Sequence, residues 1–312
     1  MTRTSVLSTR PHKTRARKTG DEITQLETQI RAVLEDDHPQ SVRHVFYRMT
    51  DPRLPVSVEK SDHGYKQIQH RMTEMRRAGT LPYHWITDAT RRGHFTRTFS
   101  SGADFIRAYA GLYRADLWEC ADEYVEVWCE SRSIAGVIEA DCRDLAVSLF
   151  PAGGFSSLTL AYSSAMGIND ATDDGRKAAH VIYIGDYDPA GVLIDLSIEK
   201  ELRQHLHSAV DLSFHRIAIT EAQIEQYDLP TKPRKAGDKR SQHIKSTVEA
   251  EAMPAGTMRR LLRDSIEAFL PEGALEIAKF AEASEQEGLR ALAARMRRVM
   301  TISIEVRHEC HF

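Results

Sequence analysis

The chain has 312 residues, enough for two domains that each bury a core, with 41% apolar and 28% charged residues as in an ordinary soluble protein. Its net charge of −3 excludes a uniformly basic nucleic-acid binder, so any contact with phosphates must come from local clusters. No apolar run is long enough to cross a bilayer and no secretory h-region is present, so no membrane partner is expected.

Residues 1–20 hold Arg3, Arg10, Lys13, Arg15, Arg17 and Lys18 without an acid, and read as a basic, disordered arm able to touch DNA. An organelle transit peptide shares that composition but ranks lower, because the segment lacks an apolar face. Cys120, Cys129, Cys142 and Cys310 form no C-x-x-C pair, which suits a reduced compartment. The His308, Cys310, His311 cluster is a weak metal signal without partners at zinc spacing.

From 21 to 120 the pattern is helical. Asp21 is placed to cap a helix with Ile23, Leu26, Ile30, Val33 and Leu34 near a 3.6 period. Ser41 opens a short helix through Val45, Phe46 and Met49, and Pro52 and Pro55 break the chain. A basic helix follows from about Tyr65 to Arg77, with Ile68, Met72 and Met75 inward, and Gly79 ends it. Helix, short helix, turn, basic helix is the order of a winged-helix unit, with residues 81–86 as the wing; a small helical bundle explains the pattern equally well. On the first reading Lys66, His70, Arg71, Arg76 and Arg77 face duplex DNA, while Arg91, Arg92 and Arg97 track its backbone. Solvated helix faces explain each of these singly.

From 121 to 312 the chain changes character. Strands are expected at Tyr124–Cys129, Ser157–Tyr162, His180–Gly185 and Ser213–Ile219, with helices between them. Ser131 or Ser133 would cap the first of those helices. Such alternation predicts an α/β fold, a parallel sheet with helices on both faces, whose ligands bind beyond the carboxyl ends of the strands. Glu130 and Asp186 both stand at those ends, with Asp188 two residues on. Carboxylates so gathered repel one another unless a hard cation neutralises them, and Mg²⁺ is the natural occupant. Pro189 and Gly191 would turn the chain away from the site, and Gly185 would let it pass close to a phosphate. A plain strand-to-helix turn with Asp188 as cap is the bland alternative. The acidic-apolar segment 248–253 and a helix over 257–270 carry no assigned role.

A strand ending in Glu130 and a later one ending in Gly185-Asp-Tyr-Asp-Pro-Ala-Gly191 resemble the Toprim domain of topoisomerases and primases. The likeness is strongest to the A subunit of type IIB topoisomerase (topoisomerase VI) and the related meiotic double-strand-break transesterase. That family carries its catalytic tyrosine in a preceding winged helix, after an Arg four residues earlier and behind another aromatic; Arg43, Phe46 and Tyr47 stand at the matching places. The resemblance implies Mg²⁺ held by Glu130, Asp186 and Asp188, attack by Tyr47 assisted by Arg43, a 5′-phosphotyrosyl intermediate on double-stranded DNA, and a homodimer cutting both strands. A nucleoid-associated, cytoplasmic setting goes with it. The chain departs from the family in being short, in carrying Phe46 beside the tyrosine, and in lacking a Gly-rich ATP motif. Strand passage would therefore need a separate ATPase subunit. Two alternatives stand: a hydrolytic Toprim nuclease in which Tyr47 is structural, and a non-catalytic DNA-binding subunit.

Overall fold

The computed structural model describes residues 19–87, 96–154, 158–172, 177–234, 241, 244 and 246–309, with side chains to 298. Three helices open it: α1 (Gly20–Asp36), α2 (Val42–Met49) and α3 (Asp62–Arg77). Thr19 and Glu22 form a reciprocal capping box on α1, so Asp21 lies inside the first turn and is not the cap. Ser41 and Ser61 cap α2 and α3, and Gly79, at φ +74°, follows α3 in a conformation that suits glycine. Residues 83–85 form one 3-10 turn. Among the described residues no pair of wing strands follows it, only a single bridge between Gln40 and Ile86.

After α4 (Gly102–Tyr109) comes the sheet: β1 (Glu123–Cys129), α5 (Arg132–Asp144), β2 (Ser148–Pro151), α6 (Leu158–Ala171), β3 (Ala178–Ile184), α7 (Gly191–His205) and β4 (Leu212–Ala218). The strands run parallel in the order β2-β1-β3-β4. An α/β architecture with helices on both faces is therefore observed. One strand is not where the pattern put it. Residues 158–162 are the first turn of α6, and the second strand is Ser148–Pro151. Leu158, Ala161, Ala165 and Ile168 keep helical spacing, and Ala161, Ala165 and Ile168 are buried. A short apolar run read at period two hides that spacing. The true strand is a four-residue edge, where a terminal proline is tolerated.

One sheet face packs under α6 and α7 around Trp128, Val181 and Tyr183. The other is covered by α5, by α9 (Ala255–Glu267) and by the N-terminal helices, whose Ile30, Phe46 and Met72 share a core with Val127, Ile182 and Ile184. On the first face Glu126, fully buried, accepts from the Trp128 indole at 2.6 Å and from the Ser164 hydroxyl at 2.5 Å, and burial outweighs these donors to push its carboxyl above the ordinary value. The remaining elements are α8 (Glu221–Gln226), a small antiparallel pair of β5 (Lys232–Pro233) and β6 (Ser246–Thr247), and α10 (Ala274–Glu309). Among the described residues no helix is long and apolar enough to cross a membrane.

Candidate active site

β1 and β3 are neighbours in register, Cys129 opposite Ile184, so Glu130 and Asp186 leave the sheet side by side. The Glu130 amide donates to Ile184 O at 2.9 Å and the Asp186 amide donates to Glu130 Oε2 at 2.8 Å. Burial and the charge of Asp188 push the Glu130 carboxyl above its ordinary value. Burial, Glu130 and Glu251 do the same to Asp186, more strongly. Arg216, whose charge acts on Glu130, spends its donors on the main-chain oxygens of Gly185 and Asp186 and on Asp195 at 2.8 Å and not on the Glu130 or Asp186 carboxylates.

Asp188 is engaged otherwise. Its Oδ1 accepts from the amides of Ala190 at 2.8 Å and Gly191 at 2.6 Å, the capping role that the turn itself asks for. Among the described residues no group of three His, Cys, Asp or Glu side chains is gathered to hold a metal ion, so the expected triad reduces to an adjacent pair with Asp188 beside it. The glycines have local reasons. A Cβ on Gly191 would lie 2.2 Å from the Asp186 carbonyl oxygen, and one on Gly185 would lie 2.5 Å from the Tyr183 hydroxyl, so Gly185 makes room for that ring.

Tyr47, on α2, lies with Arg43 one turn back on the same face. Its ring is buried at 3% exposure, yet it helps line two open pockets of about 340 Å³ and 670 Å³. Lys60 stands over the ring at 5.3 Å and Lys232 at 5.9 Å. Glu249 sits among these cations: Lys232 donates to it at 2.6 Å, Arg43 is paired with it, and it lines the same pocket as Tyr47. Burial opposes ionisation of Glu249, but Lys232 and Arg43 overcome it and hold the carboxyl down at about 2. Burial, reinforced by Glu249, pushes the Tyr47 phenol well above its ordinary value. Burial and Lys232 bring Lys60 down to about 8 while it donates to Pro230 O at 2.6 Å and Thr231 O at 3.1 Å.

The two clusters meet through the segment 248–251. Val248 pairs with Tyr187 by two 2.9 Å backbone bonds. The Ala250 amide donates to Asp186 Oδ1 at 2.8 Å, and Glu251, buried, accepts from Ser131 and Ser133 at the start of α5. Glu249 thus serves the tyrosine, and Glu251 lies close enough to raise both Glu130 and Asp186. The sequence pattern exposes neither role, since Glu249 and Arg43 are 206 residues apart; alternation of acid and alanine in a short segment is the only local trace. Comparison with models of known families, with curated proteins and with solved structures found no match.

The expected DNA-facing residues divide. Lys66, His70 and Arg77 are exposed on one face of α3. Arg71 turns to Glu27 on α1 at 3.0 Å, and Arg76 lies over the Tyr83 ring at 5.6 Å. Arg97 is exposed and stacks over Tyr109, whereas Arg91 and Arg92, the arm at 1–18, Cys310 and His311 lie outside the described residues.

Proposed function

We propose that the chain breaks double-stranded DNA by transesterification, with Tyr47 as nucleophile and Mg²⁺ held at Glu130 and Asp186. The observation that carries this reading is the single segment that hydrogen-bonds Asp186 through Ala250 and sets Glu249, paired with Arg43 and Lys232, against the Tyr47 pocket. A Toprim-like sheet behind a winged-helix-like tyrosine domain is the family reading that goes with it, and a homodimer would be needed to cut both strands. The residues fit the metal chemically. Two hard-oxygen donors with raised pKa values, with no described Lys or Arg bonded to their oxygens, are what Mg²⁺ relieves, and Mg²⁺ commonly takes one or two carboxylates with waters and phosphate oxygens. Bound there, it would neutralise phosphate charge and lower the basicity of the leaving oxygen.

The chain's own residues would act as follows. An incoming phosphodiester competes with Glu249 for Arg43 and Lys232, which then neutralise its oxygens. Released from both cations, Glu249 becomes basic enough to take the phenol proton. Tyr47 Oη forms the new bond to phosphorus, the P–O3′ bond breaks, and the 3′ oxygen leaves as a hydroxyl after taking a proton from solvent water. The 5′-phosphotyrosyl bond keeps the energy for religation.

Incubation with supercoiled DNA and Mg²⁺ followed by denaturation is expected to leave DNA covalently attached to wild type and none to Tyr47→Phe. Equal trapping by both proteins would overturn the mechanism. A second reading is favoured by the high proton affinity of Tyr47 in its resting pocket: a hydrolytic nuclease in which water attacks and Tyr47 is structural. It predicts free ends, cleavage that survives Tyr47→Phe, and loss with Asp186→Ala.

A further inference from the structure

The 3-10 turn at 83–85 carries three rings in succession, Tyr83, His84 and Trp85. With three residues per turn, successive side chains leave such a turn about 120° apart, so each ring meets different neighbours. Trp85 stacks on His38 at 4.9 Å with the ring planes 22° apart, and the Arg31 guanidinium lies over it at 5.8 Å. His84, exposed, stands edge-on to Trp85 at 6.4 Å and to His38 at 6.2 Å. Tyr83 turns to the last turn of α3, where the Arg76 guanidinium lies over its ring at 5.6 Å. The ring is nevertheless 66% exposed, and Leu81, buried, already closes the core at this end of the helix. Nothing in the packing of the chain therefore asks for an aromatic at 83.

The charges around this turn are uneven. Arg31 is paired with Glu35 at 2.7 Å and Arg77 with Glu74 at 3.1 Å. Arg76 has no ion pair or hydrogen bond among the described residues, and its Nε is enclosed without a partner. An uncompensated guanidinium held flat against an open tyrosine offers two complementary surfaces. Its outer nitrogens suit a phosphate, which takes planar donors well, and the bare ring suits the face of an unpaired base. Inside a duplex the base faces are covered by their neighbours, so a ring standing proud of the surface meets them only on a single strand.

We infer that Tyr83 and Arg76, with His84 beside them, form a binding site for single-stranded nucleic acid, one base stacking on Tyr83 and an adjacent phosphate resting on Arg76. Trp85 and His38 act behind it, holding the turn in place. The site lies toward the far end of α3 from the Tyr47 pocket, about 16 Å along the axis from Tyr65, which lines that pocket. It uses neither Tyr47 nor the strand-end acids, and it stands whether or not the tyrosine cuts.

Fluorescence anisotropy of labelled thymidine and uridine oligonucleotides with the full chain, without Mg²⁺ and over a range of salt, tests this. Wild type is expected to bind both. Tyr83→Ala, on an exposed side chain, keeps the circular dichroism of wild type and raises Kd about tenfold, whereas Tyr83→Phe keeps the ring and stays within about twofold. Arg76→Gln makes the fall of log K with log salt shallower by about 0.7, the share of one phosphate on a single strand. A blunt duplex of the same length is expected to bind wild type and Tyr83→Ala alike. A wild type that binds neither strand, a Tyr83→Ala variant as tight as wild type, an unchanged salt slope in Arg76→Gln, or an equal loss on the duplex would each overturn the proposal.

Discussion

The tyrosine pocket and the strand-end acids are joined by the segment 248–251, yet their electrostatics are opposite. Around Tyr47 each charge has a partner: Glu249 between Arg43 and Lys232, Lys60 over the ring and on two carbonyls. At Glu130 and Asp186 like charges adjoin, and the nearby guanidinium of Arg216 bonds elsewhere. A satisfied cluster stabilises the resting fold and must be opened to act. A frustrated one costs stability and stands ready for a cation. Unrelieved repulsion is therefore the better guide to a ligand, and a neutralised nucleophile the better guide to a device held in check.

Four experiments press on that contrast. The largest effect is expected in the satisfied pocket. Removing the Tyr47 hydroxyl should lower covalent DNA capture by a factor on the order of 10³ or more, read from gel-trapped product, while leaving the thermal midpoint nearly unchanged. Next comes His44, on α2 and fully enclosed, whose pKa burial, Arg48 and Arg259 lower to about 3. A depressed histidine keeps its full contribution above the ordinary value of 6.5 and loses it as pH falls. Urea unfolding should show wild type losing about 3 kcal/mol more than His44→Gln between pH 7 and pH 4. Equal losses would mean that His44 is protonated without penalty.

The frustrated site should respond with the opposite sign. Asp186→Asn removes one of two repelling charges yet keeps an oxygen for the Ala250 amide, so the metal-free protein should gain about 1–2 kcal/mol while cleavage is lost. Because the folded pKa values of Glu130 and Asp186 are raised, metal-free wild type should lose stability as pH rises above the ordinary carboxylate range. Mg²⁺ should restore that stability to wild type and not to the variant, as followed by thermal melts. A destabilised Asp186→Asn, or an equal response to Mg²⁺, would make the acids an ordinary structural pair. The smallest effect is expected from Glu249→Gln. Its ion pairs are partly open to solvent, so about 1 kcal/mol of stability is at stake, while inorganic phosphate should bind more tightly by calorimetry.

How much of this was legible follows from the range of the interactions. Apolar periodicity is local, so the caps at Ser41 and Ser131, the helices α1 to α3, and the strands β1, β3 and β4 could be read from the residues themselves. So could the adjacency of Glu130 and Asp186, since parallel alternation brings such strand ends to one edge. The short edge strand Ser148–Pro151 carries too few residues for a period, and α6 opens on a run that two periods fit. Asp188 was legible as a cap or as a ligand, and only coordinates show which amides its oxygen meets. Glu249, Glu251 and Lys60 escaped because each acquires its surroundings from chain folded far away, which no local spacing encodes.

The core shared by the opening helices and the sheet has one more consequence. Phe46 and Met49 sit in the same apolar mass as Val127 and Ile184, and Arg48 is fastened to Ala252 O at 2.5 Å. The phenol is thus mounted on a chassis and not on a tether. Its reach is set at the moment of folding, and a fragment ending near residue 120 would forfeit the wall its helices lean on. On the mechanism proposed above, the phosphodiester would have to be brought to the tyrosine, bent or threaded to a fixed address.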